Sequence, residues 1–223
     1  MNEIAQHIAT IRQELPAGTR LVAVSKFHPA EALMEAYESG QRIFGESRVQ
    51  ELVGKYEALP KDIEWHFIGH LQTNKVKYIV PFITLIHSVD SEKLLAVIDS
   101  EAAKCGRVVD CLLEIHVARE ESKYGFTPES CREWLQGNPL ARYPHVQVCG
   151  LMGMASLTDD EQCIDREFGE LKSLFDELKA SGKVDAEAFK ELSMGMSHDY
   201  RLALRHGSTL VRIGTSIFGE RAY

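Results

Sequence analysis

The chain has 223 residues, of which 44% are apolar and 26% are charged, as expected for a soluble globular protein with a buried core. Its formal net charge of −8 argues against broad, sequence-independent binding to a nucleic-acid backbone and leaves room only for a small local basic pocket. The five cysteines are odd in number and contain no C-x-x-C motif, which predicts free thiols in a reducing compartment.

The first element in the chain is a predicted amphipathic helix. In "MNEIAQHIATIRQELP" the apolar residues Ile4, Ile8, Ile11 and Leu15 recur at helical spacing. This segment has no apolar signal core, and no stretch of the chain is long and apolar enough to span a bilayer. We therefore expect a cytoplasmic protein without membrane association.

After this helix, short apolar or β-branched runs alternate with segments of helical periodicity. The runs predict eight strands, at 21–27, 42–46, 63–69, 83–89, 110–117, 146–154, 191–196 and 209–218. Helical segments such as 29–40, 47–59, 91–106, 127–137 and 159–182 lie between them, and several end in a glycine: Gly40, Gly106, Gly137 and Gly182. Eight such repeats in a chain of this length predict an α/β fold, a single (β/α)8 TIM barrel over residues 1–223 with an extra N-terminal helix.

A doubly wound open sheet is the alternative fold. It would usually carry a phosphate-binding loop after its first strand, and no G-x-G-x-x-G follows Val24. The P-loop pattern is also absent from the sequence. Both absences disfavour the nucleotide-binding version of this fold.

In a barrel, the site lies at the carboxyl ends of the strands. The last two predicted strands end in "SMGMS" (193–197) and "RIGTSIFG" (212–219), which place glycines and hydroxyl side chains beside turns. Backbone N–H groups and Ser or Thr hydroxyls are suited to binding phosphate, and barrels often bind it after strands seven and eight. Each glycine alone could serve only a tight turn, but the two clusters together favour a phosphate site.

Lys26 ends the first predicted strand, "LVAVSKFHP", which is otherwise apolar. One interpretation is that its side chain simply extends to water. The other is that it is a reactive amine across the barrel mouth from the phosphate site, with a pKa lowered by partial burial and a nearby cation. Such an amine forms a Schiff base with a carbonyl compound, and pyridoxal 5′-phosphate carries both an aldehyde and a phosphate.

Arg212 lies among apolar neighbours on the eighth predicted strand and shares a face with Leu210 and Gly214. A guanidinium inside a barrel needs a partner. The candidates are the ring nitrogen of a ligand and an internal carboxylate such as Glu114, and the sequence does not choose between them.

Other patterns carry weaker signals. His66 and His70 stand four residues apart on a predicted strand, about 13 Å apart, which is too far to share one metal ion, so we expect no metal site there. Four methionines near strand ends are most simply core residues: Met152, Met154, Met194 and Met196. The sequence contains no G-x-S-x-G motif, so this signal of a hydrolase is missing.

Several motifs together resemble a known family. "AVSKFHP", "FGESRVQE", "WHFIGHLQTNK", "LSMGMSHDY" and "GSTLVRIGTSIFGERAY" resemble the YggS/PROSC family of pyridoxal phosphate homeostasis proteins, from residue 22 to residue 223. This family is similar to the N-terminal barrel of alanine racemase. The resemblance implies a (β/α)8 barrel that holds pyridoxal phosphate on Lys26 as a Schiff base.

The resemblance also implies roles for further residues. Ser197, Gly214 and Thr215 match the family's phosphate-binding positions, and Arg212 matches the arginine that faces the pyridine nitrogen. His66 and Met196 fall on motif positions that line the pocket. Two departures concern the mouth: the family often has an asparagine where this chain has Ser47, and a second lysine where this chain has His28. The shorter Ser47 side chain replaces the contact that the family's longer amide would make, and it could bond to the cofactor through water.

The sequence suggests a carrier rather than an enzyme. Racemases of this barrel type take a second base from a separate C-terminal domain, and only five residues follow Phe218, of which Tyr223 is a weak substitute because a terminal residue is usually mobile. An arginine at the pyridine nitrogen keeps that nitrogen unprotonated and weakens the ring as an electron sink.

We therefore expect a monomeric carrier or buffer of pyridoxal phosphate, without robust turnover and with apo-enzymes as candidate recipients. The first alternative is a low-activity pyridoxal-phosphate-dependent amino-acid racemase. A more distant one is a barrel enzyme acting on a sugar phosphate, with Lys26 as an aldolase-type amine.

Overall fold

Eight parallel strands close into a barrel in the structure, a computed structural model that describes residues 3–119 and 124–220. Each strand pairs with the next along the chain, and the last pairs with the first. The strands are β1 (Arg20–Val24), β2 (Ile43–Glu46), β3 (Glu64–Phe67), β4 (Leu85–Val89), β5 (Val109–Ile115), β6 (Val146–Gly153), β7 (Glu191–Ser193) and β8 (Leu210–Ile213). The predicted (β/α)8 barrel is confirmed.

Helices connect the strands around the outside of the barrel. They are α1 (Glu3–Glu14), α2 (Ala30–Glu38), α3 (Val49–Ala58), α4 (Val76–Ile79), α5 (Glu92–Lys104), α6 (Pro128–Gln136), α7 (Glu161–Ala180), α8 (Tyr200–Arg205) and α9 (Thr215–Phe218). Short 3₁₀ turns cover Thr73–Lys75 and Pro139–Arg142. The predicted extra N-terminal helix is α1, which buries Ile8 and Ile11 in the core.

Capping residues define where several helices begin. Ser91 accepts a hydrogen bond from the Leu94 N–H at the start of α5, and Thr127 accepts one from the Ser130 N–H at the start of α6. Asp160 accepts from two N–H groups at the start of α7. Each cap satisfies backbone donors that the first helical turn leaves without partners.

The core has two apolar parts, as strand alternation requires. A large cluster between strands and helices includes the fully buried Phe44, Trp65 and Phe67. A smaller cluster contains Val22 and Leu112, whose strand positions face the inside of the barrel. Buried polar side chains accompany it: His66, His87, Ser193 and Arg212. Polar side chains therefore lie inside the barrel, and one of them, Arg212, reaches the cavity at its mouth.

The last predicted strand is too long. The run 209–218 contains β8 only to Ile213, and Thr215–Phe218 form the helical turn α9. Ile217 and Phe218 continue the apolar pattern, and a short apolar run does not distinguish strand from helix. The first strand likewise ends at Val24, so Ser25 and Lys26 lie in the turn that follows it.

None of the helices in the described residues is long and apolar enough to cross a membrane. Within residues 3–119 and 124–220, no group of three or more His, Cys, Asp or Glu side chains is arranged to hold a metal ion. His66 and His70 instead have separate partners: His66 Nδ1 lies 2.9 Å from His87 Nε2, and His70 Nδ1 lies 3.0 Å from Asp90 Oδ2.

Candidate functional site

A cavity of about 210 Å³ opens at the carboxyl ends of the strands. Six of the residues predicted for the site line it: Lys26, Met196, Ser197, Arg212, Gly214 and Thr215. The remaining wall is formed by Val24, Ile68, Met154 and His198. The cavity therefore combines an amine, a guanidinium and two hydroxyl groups with apolar walls.

Barrel closure brings the first and last strands together at this cavity. β8 pairs with β1 in a register that sets Val22 opposite Arg212. Further along, Gly214 lies so close to β1 that a Cβ atom there would be 3.1 Å from the Val24 carbonyl oxygen. Glycine thus lets the loop after β8 approach the turn that carries Lys26.

The turn after β1 presents Lys26 at the cavity. The His28 N–H donates to the Ser25 carbonyl at 3.1 Å, which closes the turn around Lys26. The His28 ring stacks on Phe218 with the ring centroids 4.9 Å apart, so the turn also packs against α9. The Lys26 side chain is half-buried.

A chain of buried hydrogen bonds holds Arg212 in the barrel. Its guanidinium donates to Ser193 Oγ at 2.6 Å and to the Gly153 carbonyl at 3.0 Å. Ser193 Oγ lies 2.9 Å from His87 Nδ1, and His87 Nε2 lies 2.9 Å from His66 Nδ1. The donor and the acceptor in each of these two contacts are set by the tautomers of His87 and His66.

Burial sets the charges along this chain. Burial lowers the pKa of His66 to about 3, and the Arg20 charge adds to the effect. The pKa of His87 is also held well below its usual value, chiefly by burial. Burial lowers the pKa of Arg212 to about 10, against the opposing charges of Asp199 and Glu114. Both histidines are therefore neutral at pH 7. Arg212 is the one cation among these four hydrogen-bonded side chains, which also include Ser193.

Glu114 does not accept a hydrogen bond from Arg212, although the sequence offered it as a partner. Arg212 donates instead to Ser193 and the Gly153 carbonyl. The pKa of Glu114 is raised to about 7, chiefly by burial and also by the charge of Asp90, while the charge of Arg212 opposes the rise. The carboxyl group thus acts on Arg212 through charge alone and titrates near neutral pH.

Two predicted site residues lie off the cavity wall. Ser47 lines a neighbouring cavity of about 200 Å³ together with Arg48 and Lys75. Its backbone packs tightly against Gly69, where a Cβ atom would lie 2.6 Å from the Ser47 carbonyl oxygen. His66 is buried in the polar chain inside the barrel. Direct contact of either residue with a cofactor stays a prediction.

His198 and Met154 line the cavity but were not singled out as site residues from the sequence. His198 Nε2 lies 3.2 Å from Asp199 Oδ2, and the buried Asp199 accepts the Met196 N–H at 2.6 Å through its other oxygen. Their positions directly after "SMGMS" and at the end of β6 were the available signal. Tyr223, the weak candidate for a second base, lies outside the described residues.

Comparison with known proteins identifies the family. The family model for the alanine racemase N-terminal domain matches residues 1–222. A pyridoxal phosphate homeostasis protein of Aquifex aeolicus (strain VF5) is 44% identical over 205 residues, which are 92% of this chain and 88% of that protein. The chain belongs to the pyridoxal phosphate homeostasis protein family.

Two solved structures show what this member of the family resembles in three dimensions. The structure of PipY from Synechococcus elongatus PCC7942 with PLP bound has a TM-score of 0.87 and 38% identity, over 97% of this chain and all of that one. An alanine racemase of Clostridium difficile 630 has a TM-score of 0.76 and 15% identity, over 99% of this chain and 56% of that one. This second likeness shows the shared barrel alone.

The residues of this family member fit a phosphorylated aldehyde. The Lys26 amine supplies the group that condenses with an aldehyde, and the Ser197 and Thr215 hydroxyls are suited to phosphate oxygens. The space around Gly214 is too crowded for a side chain, so only backbone atoms occupy this part of the site. Arg212 adds a fixed guanidinium on the same wall. The donor set thus suits the aldehyde, the phosphate and the pyridine nitrogen of pyridoxal phosphate.

Proposed function

We propose that this protein binds pyridoxal 5′-phosphate on Lys26 as a Schiff base and acts as a carrier or buffer in intracellular cofactor homeostasis. The observation that carries the proposal is the convergence of Lys26, Arg212 and the Ser197/Gly214/Thr215 cluster on one cavity. The family, whose members carry homeostasis names, and the PLP-bound PipY relative support it.

Each side chain has a defined part in the binding. The Lys26 amine condenses with the aldehyde, so that a C=N bond forms and one water leaves. Ser197 and Thr215 donate to the phosphate, and Met196 packs against the ring. Arg212, a cation fixed by Ser193, faces the pyridine nitrogen and leaves it unprotonated. When bound, pyridoxal phosphate would supply the aldehyde for a reversible covalent link to Lys26.

An unprotonated pyridine nitrogen weakens the ring as an electron sink, which favours holding the cofactor over turnover. A buried arginine whose pKa is about 10 does not give up a proton at pH 7. We therefore propose a protein without robust catalytic activity. Apo-enzymes that need pyridoxal phosphate are the proposed recipients, and the proposed state is a cytoplasmic monomer.

The alternative is a low-activity amino-acid racemase. It is favoured by His198, whose imidazole lies on the cavity wall and could serve as a second base. A racemase requires turnover of a free amino acid, whereas a carrier requires transfer of the intact cofactor. These two requirements separate the hypotheses experimentally.

The test begins with absorbance of the protein mixed with pyridoxal phosphate, before and after borohydride, followed by peptide mass mapping. We expect a visible band that borohydride abolishes, with the mass added at Lys26. Lys26→Ala removes the band, whereas Lys104→Ala, a change at an exposed lysine, keeps it. An unmodified Lys26 contradicts covalent binding.

A second measurement separates carrier from enzyme. The loaded protein is mixed with an apo-enzyme, and separately with L-alanine and L-serine. We expect restored apo-enzyme activity and no racemisation. Racemisation that His198→Ala abolishes would instead support the alternative.

A further inference from the structure

The two peptide groups that flank Lys26 are both held from outside the cavity. On one side, the Ser25 carbonyl accepts a hydrogen bond from Lys55 Nζ at 2.8 Å. On the other, the Phe27 N–H donates to Glu51 Oε1 at 2.7 Å. Lys55 Nζ also donates to Glu51 Oε1 at 2.7 Å, so one ion pair joins both contacts. The backbone of Lys26 is thus held at both ends by α3.

The network extends to β2 and is mostly buried. Lys55 Nζ lies 2.7 Å from Glu46 Oε1, and the Ser25 hydroxyl donates to the same oxygen at 2.6 Å. The side chains of Lys55 and Glu46 are 8% and 0% exposed. A buried ion pair is costly unless its hydrogen bonds are satisfied, and Lys55 has three acceptors here. Glu51 is the accessible member, with 21% of its side chain exposed.

The backbone at Phe27 shows what the network maintains. Phe27 has φ of 68°, in the left-handed region that a bulky residue adopts only at a cost. The Glu51 carboxylate compensates this cost through the Phe27 N–H, and the Arg48 guanidinium lies 4.5 Å over the Phe27 ring. Such strain at a ligand site is a sign of a backbone held for function.

We propose that Glu51 is a positioning residue for Lys26, acting with Lys55 to hold the turn so that the Lys26 amine faces the aldehyde of the incoming ligand. The inference rests on the proposed function, in which that amine forms the C=N bond and releases water. Because the network bonds to the Ser25 carbonyl and the Phe27 N–H, and neither residue lines the cavity, it governs the covalent step and leaves the phosphate and ring contacts unchanged.

The test compares two ligands on four proteins: wild type, Glu51→Ala, Glu51→Gln and Glu57→Ala. Pyridoxal phosphate reports covalent capture, and pyridoxine phosphate, which has an alcohol in place of the aldehyde, reports non-covalent affinity. In Glu51→Ala we expect capture about tenfold slower, equivalent to the loss of one charge-assisted hydrogen bond, and pyridoxine phosphate affinity within about twofold of wild type. Glu57→Ala, which removes an exposed carboxylate from the same helix, keeps both values.

Glu51→Gln retains an oxygen that can accept from Phe27, so we expect it to capture faster than Glu51→Ala. Thermal unfolding of each variant establishes that it is folded. Equal capture rates in wild type and both Glu51 variants would overturn the proposal, as would a loss of pyridoxine phosphate affinity that parallels the loss of capture. Failure of wild type to capture pyridoxal phosphate would instead count against the proposed function.

Discussion

Arg212 is the buried cation on the wall of the cavity. Its charge is buried, and two fixed acceptors hold it, the Ser193 hydroxyl and the Gly153 carbonyl. Ser193 also joins it to two neutral histidines, so no second cation competes along this chain. The guanidinium is therefore ordered before any ligand binds, which lowers the entropic cost of binding.

Removing the acceptor behind Arg212 tests this arrangement. Ser193→Ala leaves a guanidinium N–H and His87 Nδ1 without their buried partner, and we expect a loss of about 1–3 kcal/mol in the free energy of unfolding. We also expect pyridoxal phosphate to bind about tenfold more weakly, since Arg212 then keeps only the Gly153 carbonyl as a fixed acceptor. Urea unfolding and absorbance titration measure these values. Ser173→Ala, at an exposed helix position, serves as control, and an unchanged Ser193→Ala affinity would contradict the role of Ser193.

Glu114 gives a pH dependence of known sign. Its pKa is about 7 in the folded protein against 4.5 as reference, so the folded state holds more protons between these values. Stability from this group is present below pH 4.5 and is lost as pH rises through 7. As the pH rises from 5 to 8, the free energy of unfolding of Glu114→Gln should therefore increase relative to that of wild type, by up to about 3 kcal/mol. Urea unfolding at each pH measures this difference. A pH-independent difference would contradict the raised pKa.

At the scale of elements, the eight alternating segments were enough to predict the barrel, because strand and helix periodicities differ and the chain has room for eight repeats. The ends of elements were less predictable. Ile217 and Phe218 made α9 look like a continuation of β8, whereas in the structure Ile217 is buried on a helical turn and Phe218 stacks on His28 after β1. The short helices α4 and α8 span about one to two turns, too few for a periodicity to show.

The approach of the β8 loop to β1 predicts a position-specific effect at Gly214. In Gly214→Ala the added Cβ would lie 3.1 Å from the Val24 carbonyl oxygen, so the loop must move. We expect affinity for pyridoxal phosphate to fall about tenfold and affinity for pyridoxal, which lacks the phosphate, to change little. Equal losses for both ligands would contradict a phosphate role.

Gly54→Ala is the matched control for this change. Gly54 is an exposed residue of α3, and a Cβ atom there would have nothing within 4 Å. We expect unchanged affinity for both ligands and a gain of about 0.5–1 kcal/mol in stability, because alanine favours the helix over glycine.

At the scale of the whole molecule, residues that line the cavity could be predicted from the sequence, but the buried contacts that support them could not. Lys26, Arg212 and the glycine clusters carry local signals, since each stands out from the apolar strand around it. Glu46 and Lys55 carry none, because an acidic and a basic residue nine positions apart are ordinary until the fold buries them together. The same holds for His66 and His87, which only barrel closure brings into contact.

These two buried histidines predict sensitivity to acid. The pKa of His66 is about 3 when folded and 6.5 by reference, so the unfolded chain binds more protons between these values. Stability should fall as pH drops below 6.5, which urea unfolding at successive pH values measures. Proton NMR of the nine histidine rings identifies the source: His66 and His87 should not titrate between pH 5 and 8. Titration of all nine near pH 6.5 would contradict the prediction.

The pairing of β1 with β8 also sets when during synthesis the site comes into existence. Lys26 leaves the ribosome early, but Arg212, Gly214 and Thr215 are translated almost 200 residues later. A nascent or truncated chain that lacks β8 and the loop after it therefore has the Lys26 amine without the other cavity residues Arg212, Gly214 and Thr215. If the proposed function holds, a growing chain could capture the cofactor only after β8 has been made and has paired with β1 to close the barrel.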